Sequence, residues 1–296
     1  MQVIARVTGG LGNQMFQYAA AFAAARTAGA QLALDTSCYD YTHEAHRRYM
    51  LDCFAVTGRV ITPHRLSRFL YKMAGSERFP RIAALTRLKL NLTDVKETQE
   101  YHFAPVLLPV AHRIRLLGYW QSYRYFEAHA AEIRQQFMLR SPATGHNAHL
   151  LEQIRSTPGA VSVHIRRGDY LKVRPQAILP LEYYQSAVQI IAQKIPLPTF
   201  FLFSDDLAWV RQNLHLPGQI VAVDGNDELS GHEDLRLMSA CRHHIIANSS
   251  FSWWGAWLNP AREKMVIAPR LWLGTPDSHF PDLYPAGWRT ILPGIV

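Results

Sequence analysis

The sequence predicts an α/β protein of two Rossmann-like domains, and three observations support this. Near the N-terminus, an apolar run, a glycine-rich turn and an Ala-rich stretch form a strand–turn–helix pattern. From residue 161 onward, apolar runs of strand length alternate with helix-like segments, which predicts a parallel sheet with crossover helices. Between them, Ser141–Gly145 resembles a linker. We expect domains over residues 1–145 and 146–296, facing each other across a ligand-binding cleft.

The N-terminal part reads as the opening of a βαβ unit. It comprises a strand at Val3–Val7, a turn at Gly9–Gly12, a helix over Asn13–Ala28 and a second strand at Gln31–Leu34. The following segment, about residues 37–120, is irregular, with a helix-compatible stretch at Pro63–Ala74. A further helix is predicted over Tyr123–Leu139, where aromatic and aliphatic residues share a face.

The C-terminal part is regular. Strands are predicted at Val161–Ile165, Thr199–Phe203, Ile220–Val223, His244–Ala247 and Met265–Ala268. The helices predicted between them are Leu181–Lys194, Asp206–Leu214, His232–Cys241 and Trp253–Leu258.

The composition indicates a globular protein with anionic partners. The chain has 296 residues, of which 48% are hydrophobic, and a formal net charge of +8. Such a charge favours nucleotides or acidic surfaces, although it also serves solubility alone. Three cysteines without a C-x-x-C pair favour a reducing compartment. We find no secretory signal and no apolar run of membrane-spanning length, so we expect a cytoplasmic protein.

One basic segment suggests a membrane contact. The stretch Pro63–Arg81 is helix-compatible and could touch an anionic inner membrane leaflet as a peripheral contact. A solvated helix face is the simpler explanation for the same charges.

The most informative motif follows the predicted strand that ends at Ile165. It contains His164, Arg166, Arg167, Gly168 and Asp169. Arginine offers a rigid fork of donors matched to phosphate oxygens, and glycine allows close backbone approach. Ligands bind at the ends of strands in open α/β sheets, so this motif predicts a phosphate-handling site. The alternatives are a structural Arg–Asp ion pair, which we weigh lower, and an Arg-Gly-Asp adhesion tripeptide, which fits an intracellular chain poorly.

A second motif is the N-terminal glycine-rich turn. Gly10 and Asn13 lie where backbone amides and a side-chain amide could meet an anion at a helix N-terminus, and Gln14 adds a second side-chain amide. The dinucleotide fingerprint is half met: a third glycine is replaced by Met15, while Asp35 sits where a ribose-binding acid would. A nicotinamide-dependent dehydrogenase is therefore an alternative, and a tight turn with a helix cap is the simplest one.

Two more polar motifs follow predicted strands. After Phe203, Asp205 is a candidate acceptor for a base or ribose, and Asp206 is a candidate helix cap. In the segment Asn248–Ser252, small hydroxyl residues precede an aromatic helix, and they could cap that helix or hold a diphosphate. Neither D-x-D, H-x-x-x-H, HExxH nor a Walker loop occurs, which disfavours a metal-dependent enzyme.

These four motifs, in this order, resemble the α-1,2-fucosyltransferases of glycosyltransferase family 11. The matching stretches are Gly9–Ala19, His164–Tyr170, Phe203–Asp206 and Asn248–Asn259. The resemblance implies a GT-B-like architecture, with the C-terminal domain binding the nucleotide and the N-terminal domain on the acceptor side. It further implies metal-independent, inverting transfer from GDP-β-L-fucose to the 2-hydroxyl of a galactose-containing oligosaccharide in glycan or O-antigen biosynthesis. No cofactor and no nucleic acid partner are implied.

The resemblance also implies roles for individual residues. Arg166 would hold the β-phosphate and stabilise the leaving GDP, His164 would lie near the nucleotide, and Asp205 would meet guanine or ribose. The diphosphate site would be lined by Ser249, Ser250 and Phe251, and the N-terminal motif would contribute Gly10, Asn13 and Gln14 to donor binding. For Asn13, the acceptor is the alternative to the donor phosphate.

The base that accepts the acceptor's proton stays open at this stage. Asp169 is the nearest acid in the motif, but it could equally hold an arginine as an ion pair, with the proton passing to a phosphate oxygen or water. A non-catalytic protein that binds nucleotides or glycans is a further alternative.

Overall fold

The structure is a computed structural model of the chain and describes residues 1–40, 48–61 and 80–294. The described residues form two compact units, Met1–Arg140 and Ser141–Val296. The boundary lies a few residues before the predicted one at residue 145. The helix-compatible segment Pro63–Ala74 lies outside the described residues, as does nearly all of the basic segment Pro63–Arg81.

Unit 1 is built on a parallel sheet of five strands. The strands are β1 (Gln2–Arg6), β2 (Gln31–Asp35), β3 (Arg59–Ile61), β4 (Leu92–Lys96) and β5 (Arg113–Leu117), in the spatial order β3-β2-β1-β5-β4. The helices are α1 (Leu11–Thr27), α2 (Pro80–Lys89) and α3 (Ala130–Gln136). The predicted helix over Tyr123–Leu139 is thus only partly correct, because two short 3-10 turns occupy its first half.

Helix α1 forms a large part of the core of unit 1. Most of its residues are buried, including the run from Gln14 to Ala23. A helix that is buried on nearly all sides needs small and apolar side chains, which explains its alanine content. This agrees with its interpretation as a helix packed on a sheet.

Unit 2 is built on a parallel sheet of six strands. The strands are β6 (Ala160–Ile165), β7 (Thr199–Ser204), β8 (Gln219–Ala222), β9 (His243–Ile245), β10 (Val266–Pro269) and β11 (Arg289–Ile291). The helices are α4 (Gly145–Ser156), α5 (Tyr170–Val173), α6 (Leu181–Ala192), α7 (Leu207–Asn213), α8 (Gly231–Ala240) and α9 (Ser250–Leu258). All five predicted strands and all four predicted helices are confirmed to within a few residues, while α4, α5 and β11 have no counterpart in the prediction.

Helices cover both faces of the six-stranded sheet. This is seen in β7, where alternate side chains pack against helices on opposite sides. Phe200 and Leu202 belong to a cluster with residues of α6, whereas Phe201 and Phe203 belong to a cluster with residues of α4 and α8. Successive side chains of a strand point to opposite faces, so a strand buried on both faces is apolar throughout. This is why β6 and β7 were recognisable as continuous apolar runs.

No helix in the described part of the chain is both long enough and apolar enough to cross a bilayer. The three cysteines, Cys38, Cys53 and Cys241, are not joined in disulfides.

Candidate active site

The strand order of unit 2 places two polar loops side by side. The order is β11-β10-β9-β6-β7-β8, so the chain runs outward from β6 in one direction and then returns to β9 on its other side. This is the doubly wound order with a topological switch point between its first and fourth strands. In open α/β sheets of this order, the loops after the first and fourth strands diverge, and a crevice for ligands forms between them. The arginine motif follows β6, and the serine motif follows β9.

Arg166 is held by two carboxylates. Its Nη2 lies 2.8 Å from Oδ2 of Asp169, and its Nη1 lies 3.1 Å from Oδ2 of Asp205. Burial alone would lower the pKa of the guanidinium, but Asp205 and Asp169 outweigh it and the pKa of Arg166 is raised. The side chain is 31% exposed. Arg166 is therefore a fixed cation at the end of β6 that still reaches solvent.

Arg167 is fixed by a different pair of groups. Its Nε lies 3.2 Å from Oδ2 of Asp206, and its guanidinium carbon lies 4.1 Å from the centre of the Trp209 ring. Asp206 also caps α7 by accepting a hydrogen bond from the backbone N–H of Trp209. The predicted cap is confirmed, and the same residue has a second task in orienting Arg167.

Asp205 serves the arginine loop with both oxygens. Oδ2 contacts Arg166, and Oδ1 accepts a hydrogen bond of 2.9 Å from the backbone N–H of Arg167. Gly168 lies directly against this carboxylate, since a Cβ at Gly168 would stand 3.0 Å from Oδ2 of Asp205. The glycine of the motif is thus explained by close approach to Asp205, and Asp205 ties the loop after β6 to the loop after β7.

His164 is a buried neutral imidazole. Burial and the neighbouring charge of Arg166 lower the pKa of His164 to about 3. Nδ1 is buried and has no hydrogen-bond partner among the described residues. The ring lies 5.8 Å from the ring of Phe251. The structure thus brings together two residues that the sequence assigns to donor binding.

The serine motif forms the start of α9. Ser249 is the N-cap, and its hydroxyl accepts a hydrogen bond from the backbone N–H of Phe251. Ser250 is the first residue of the helix. Trp253 and Trp254 are fully buried and pack edge to face, as expected for core residues. Helix α9 begins three residues earlier than predicted, because the serines belong to its first turn.

Tyr170 connects the two loops across the switch point. Its hydroxyl donates a hydrogen bond of 2.9 Å to the backbone carbonyl of Asn248. The Asn248 side chain donates in turn to the carbonyls of Ala177 and Trp272. Neither contact was predicted, although both residues lie inside the motifs. A tyrosine two residues after the glycine of the motif is the signal that could have suggested the first contact.

A buried network below this crevice joins β6, β9 and the end of α9. His244 Nδ1 lies 2.8 Å from the hydroxyl of Ser162, and its Nε2 lies 2.8 Å from Nδ2 of Asn259. Burial lowers the pKa of His244 well below its ordinary value. Because an amide NH₂ can only donate, Nε2 accepts and the proton resides on Nδ1. The network ties the two strands that carry the site to each other and to the end of α9.

In unit 1, the glycine-rich turn precedes α1 as predicted. Gly9 has φ of 75°, which requires glycine, and Gly10 is the N-cap without a side-chain cap. A Cβ at Gly10 would meet nothing within 4 Å, so neither packing nor backbone strain explains this glycine. Asn13 lies in the first turn of α1 and accepts a hydrogen bond from Gln121 at 2.7 Å.

The predicted donor contact of Gln14 finds no support in the surroundings of this side chain. Gln14 is fully buried, and its Nε2 donates to the carbonyls of Gly9 and Arg48. Its Oε1 accepts from the backbone N–H of Met50. Since both amide protons are used inside the protein, Gln14 ties the turn to a neighbouring segment and has no proton left for a ligand.

Asp35 is unsuited to bind a ribose. It is 1% exposed, accepts two hydrogen bonds from Ser37, and pairs with the buried Arg115 at 3.4 Å. Arg115 also contacts Asp94 at 2.9 Å. Asp35 therefore neutralises a buried arginine. The dehydrogenase interpretation needs this residue as a ribose-binding acid, so only the partly matched glycine pattern still supports it.

Within the described ranges, no group of three or more His, Cys, Asp or Glu side chains is arranged to hold a metal ion.

Comparison with known sequences decides the family. A sequence model of the family "Glycosyl transferase family 11" matches residues 88–291. The chain belongs to glycosyltransferase family 11. This family 11 protein is 30% identical over 303 residues to an α-1,2-colitosyltransferase from Escherichia coli, with 98% of each chain covered. It is 32% identical over 154 residues to galactoside 2-α-L-fucosyltransferase SEC1 from Bos taurus, covering 49% of this chain and 42% of that one.

Solved structures place the fold of the family 11 chain among those of fucosyltransferases. The crystal structure of NodZ α-1,6-fucosyltransferase soaked with GDP-fucose matches with a TM-score of 0.54. Sequence identity is 19%, and 88% of this chain and 92% of that chain are covered. The predicted GT-B-like α/β class is confirmed. The chain is a glycosyltransferase, so the dehydrogenase and the non-catalytic binding protein are both wrong.

Proposed function

We propose that this glycosyltransferase transfers L-fucose from GDP-β-L-fucose to the 2-hydroxyl of a galactoside, with inversion and without a metal ion. The observation that carries the proposal is Arg166, a cation fixed by two carboxylates at the switch point of unit 2. The relatives support the chemistry, because one is named a galactoside 2-α-L-fucosyltransferase and another an α-1,2-colitosyltransferase.

In the proposed reaction, the bond between C1 of fucose and the β-phosphate oxygen breaks and its electron pair remains on GDP. A new bond forms between C1 and the acceptor oxygen on the opposite face, and the acceptor loses its proton. Negative charge therefore grows on the leaving diphosphate while the sugar becomes cationic, as in other glycosyl transfer. Without a metal ion, fixed donors must meet that negative charge.

Arg166 has donors left for this task. A guanidinium carries five N–H donors, and the two carboxylates occupy one on each terminal nitrogen. The remaining donors can turn to a phosphate while the carboxylates hold the side chain in place. Because its pKa is raised, Arg166 stays charged throughout the reaction. The turn at Ser249 and the first N–H groups of α9, including that of Ser250, offer a second set of donors.

We assign Asp169 and Asp205 as positioning residues for Arg166. The Asp169 oxygen that contacts Arg166 at 2.8 Å is already engaged by the guanidinium, and this contact holds the arginine in place. The acceptor's proton passes instead to water or to a phosphate oxygen in this proposal. Asp205 uses both oxygens on the arginine loop, so its effect on guanine or ribose is indirect.

His164 and Phe251 form the wall of the nucleotide site in this proposal. A neutral imidazole with a buried, unpartnered Nδ1 can exchange a hydrogen bond with a nucleotide without adding charge. In unit 1, Gly10 allows a ligand to approach the start of α1, and Asn13 offers an amide there.

Colitosyl transfer is the second candidate, because a relative that matches the full length of the chain carries that name. Both activities form an α-1,2 linkage, and donor competition separates them. The purified protein is incubated with lactose and either GDP-fucose or GDP-activated colitose, and GDP release is followed.

Faster transfer from GDP-fucose, with an α-1,2 linkage by NMR, is expected. If only colitose is transferred, colitose and not fucose is the donor sugar of this enzyme, and the proposed donor is wrong. Full turnover in excess EDTA is expected, and its loss would contradict the metal-free mechanism.

A further inference from the structure

Unit 1 has its own switch point, and the irregular middle of the sequence contributes to it. In the order β3-β2-β1-β5-β4, the chain runs from β1 toward one edge, while β5 lies on the other side of β1. The loops after β1 and β5 therefore diverge above the sheet, which is where ligands bind in open α/β sheets. The first loop leads to Asn13, and the second contains Tyr119, Trp120 and Gln121.

Glu97 anchors the second loop. This half-buried carboxylate follows β4 and accepts hydrogen bonds from the backbone N–H groups of Tyr119 at 2.7 Å and Trp120 at 3.0 Å. Gly118 lets the strands approach, because a Cβ there would stand 2.4 Å from Cβ of Glu97. The loop is therefore fixed at the end of β5, from which it leaves, and at the end of β4 through Glu97.

Trp120 holds an unfavourable backbone conformation in this loop. Its φ is 57°, a region that bulky residues rarely enter, and the side chain is 3% exposed. Its ring packs edge to face on Tyr125 with centroids 5.2 Å apart. Strain of this kind persists where the surroundings enforce it and is concentrated at functional sites. Here it directs the next residue, Gln121, toward α1.

Gln121 determines which way the Asn13 amide faces. Its Nε2 donates a hydrogen bond of 2.7 Å to Oδ1 of Asn13. Gln121 is 6% exposed, so the pair is set by the protein rather than by solvent. With Oδ1 of Asn13 directed to Gln121, the donor end of that amide, Nδ2, faces the other way, beside Gly9 and next to the open space at Gly10.

We propose that Gln121 is a positioning residue that orients Nδ2 of Asn13 to donate a hydrogen bond to a hydroxyl of the acceptor sugar. The inference rests on the proposed function, since it names the acceptor contact of that reaction. Neutral amides suit neutral hydroxyl groups, whereas the arginine motif of unit 2 suits the charged diphosphate. The recognition of the acceptor thus depends on a loop held by Glu97 and Trp120.

The decisive variant is Gln121→Glu. A carboxylate accepts hydrogen bonds only, so the Asn13 amide must reverse and present Oδ1 where Nδ2 had been. Losing one neutral hydrogen bond lowers affinity roughly 5- to 10-fold. We expect the KM for lactose to rise by about that factor or more. The KM for GDP-fucose should change less than the KM for lactose.

Two further variants test whether the rise in the KM for lactose comes only from a loss of stability. Gln121→Met keeps the length of the side chain without adding charge near Glu97. Gln136→Met is the matched control, because Gln136 accepts hydrogen bonds from Tyr18 and Thr57 in the same unit and belongs to neither loop. Both are expected to melt at similar temperatures, and only Gln121→Met should raise the KM for lactose.

A double-mutant cycle tests whether Gln121 acts through Asn13. In an Asn13→Ala background, Gln121→Met should have no further effect on the KM for lactose. Additive effects would overturn the proposal, as would a rise in the KM for GDP-fucose alone, or equal behaviour of the Gln121 and Gln136 variants.

A binding readout separates this proposal from the proposed function. Saturation-transfer NMR with lactose needs no turnover and no donor. If the wild-type chain binds lactose and Gln121→Met weakens it about 10-fold, the inference stands even where fucose transfer fails. If the wild-type chain transfers fucose but Gln121→Met binds lactose normally, the inference is wrong and the proposed function survives. A wild-type chain that neither binds lactose nor uses it as an acceptor overturns the acceptor assignment.

Discussion

Replacing Arg166 with lysine separates its electrostatic role from its geometric one. The positive charge is kept, but a single ammonium cannot reproduce a fork whose two ends lie 2.8 Å from Asp169 and 3.1 Å from Asp205. At most one carboxylate contact survives in its present geometry, and the planar donors directed at a phosphate are lost.

The structure allows the two consequences to be compared. The Arg166 pairs are partly exposed, so losing one of them costs about 0.5–1 kcal/mol of unfolding free energy. For a unit of this size, that lowers Tm by roughly 1–4 °C. Losing an aligned donor to a developing oxyanion costs about 2.7–4 kcal/mol in the transition state, or roughly 100- to 1,000-fold in kcat. The activity loss should therefore far exceed the stability loss.

The assay is GDP release at saturating lactose, with kcat and the KM for GDP-fucose measured together with Tm. Arg211→Lys is the matched control, since Arg211 pairs with Asp224 at 3.0 Å on an exposed surface of the same unit. We expect this control to keep full kcat. The reasoning would be refuted if Arg166→Lys lost several degrees of Tm but kept most of its kcat, because Arg166 would then be only a structural ion-pair partner.

Three other variants test separate parts of the account. Gly168→Ala would place a Cβ 3.0 Å from the carboxylate of Asp205 and displace it from Arg166; we expect kcat to fall about 10-fold or more, and unchanged kcat would show that this contact is dispensable. Burial lowers the pKa of His164 to about 3, so below about pH 6.5 the unfolded chain binds a proton that the folded chain does not, and the stability of the wild-type chain falls as the pH falls. His164→Gln should therefore show a shallower decline of Tm between pH 6.5 and 4, and parallel curves for the two proteins would contradict the assignment. Burial raises the pKa of Asp234 to about 6, so the native state holds the extra proton and loses stability as pH rises from about 4 to 6; Asp234→Asn should therefore raise the unfolding free energy by about 1–2 kcal/mol at pH 7.5 and leave it unchanged near pH 4, whereas a loss at pH 7.5 would show that the charge is stabilising.

The C-terminal unit could be predicted from the sequence because its strands carry their own signal. β6 and β7 are buried on both faces and read as continuous apolar runs. Strand β5 of unit 1 lacks this signal, although it lies inside the sheet between β1 and β4. β5 contains Arg113 and Arg115, and the buried Arg115 is tolerated only because Asp35 and Asp94 neutralise it. Arg115 lies far from Asp35 and Asp94 in the sequence, so the hydrophobicity pattern of neighbouring residues cannot predict that they pair.

The sequence predicts which residues belong to the candidate site, but not which of them contact each other. The motif containing Arg166 predicts a phosphate-binding site, since arginine, glycine and histidine cluster after an apolar strand. That Asp205 holds this arginine depends on the adjacent position of β7, which only the assembled sheet provides. Gln14 was assigned to the ligand because its neighbours suit one, whereas its amide faces the segment around Met50. Gln121 belongs to no recognisable sequence motif. Its proposed role depends on its hydrogen bond to Asn13 and on the contact of Glu97 with the neighbouring Trp120, and both are seen only in the structure.

The central claim is that a fixed arginine in a glycosyltransferase site drives α-1,2 transfer of fucose from GDP-fucose. The most direct measurement is the reaction of the purified chain with GDP-fucose and lactose in excess EDTA, with the product's linkage and anomeric configuration determined by NMR. The account predicts an α-1,2-linked fucoside on galactose, formed by the wild-type chain and Arg211→Lys and nearly absent with Arg166→Lys. No fucoside across a panel of galactosides, a different linkage, or equal turnover by Arg166→Lys would contradict it.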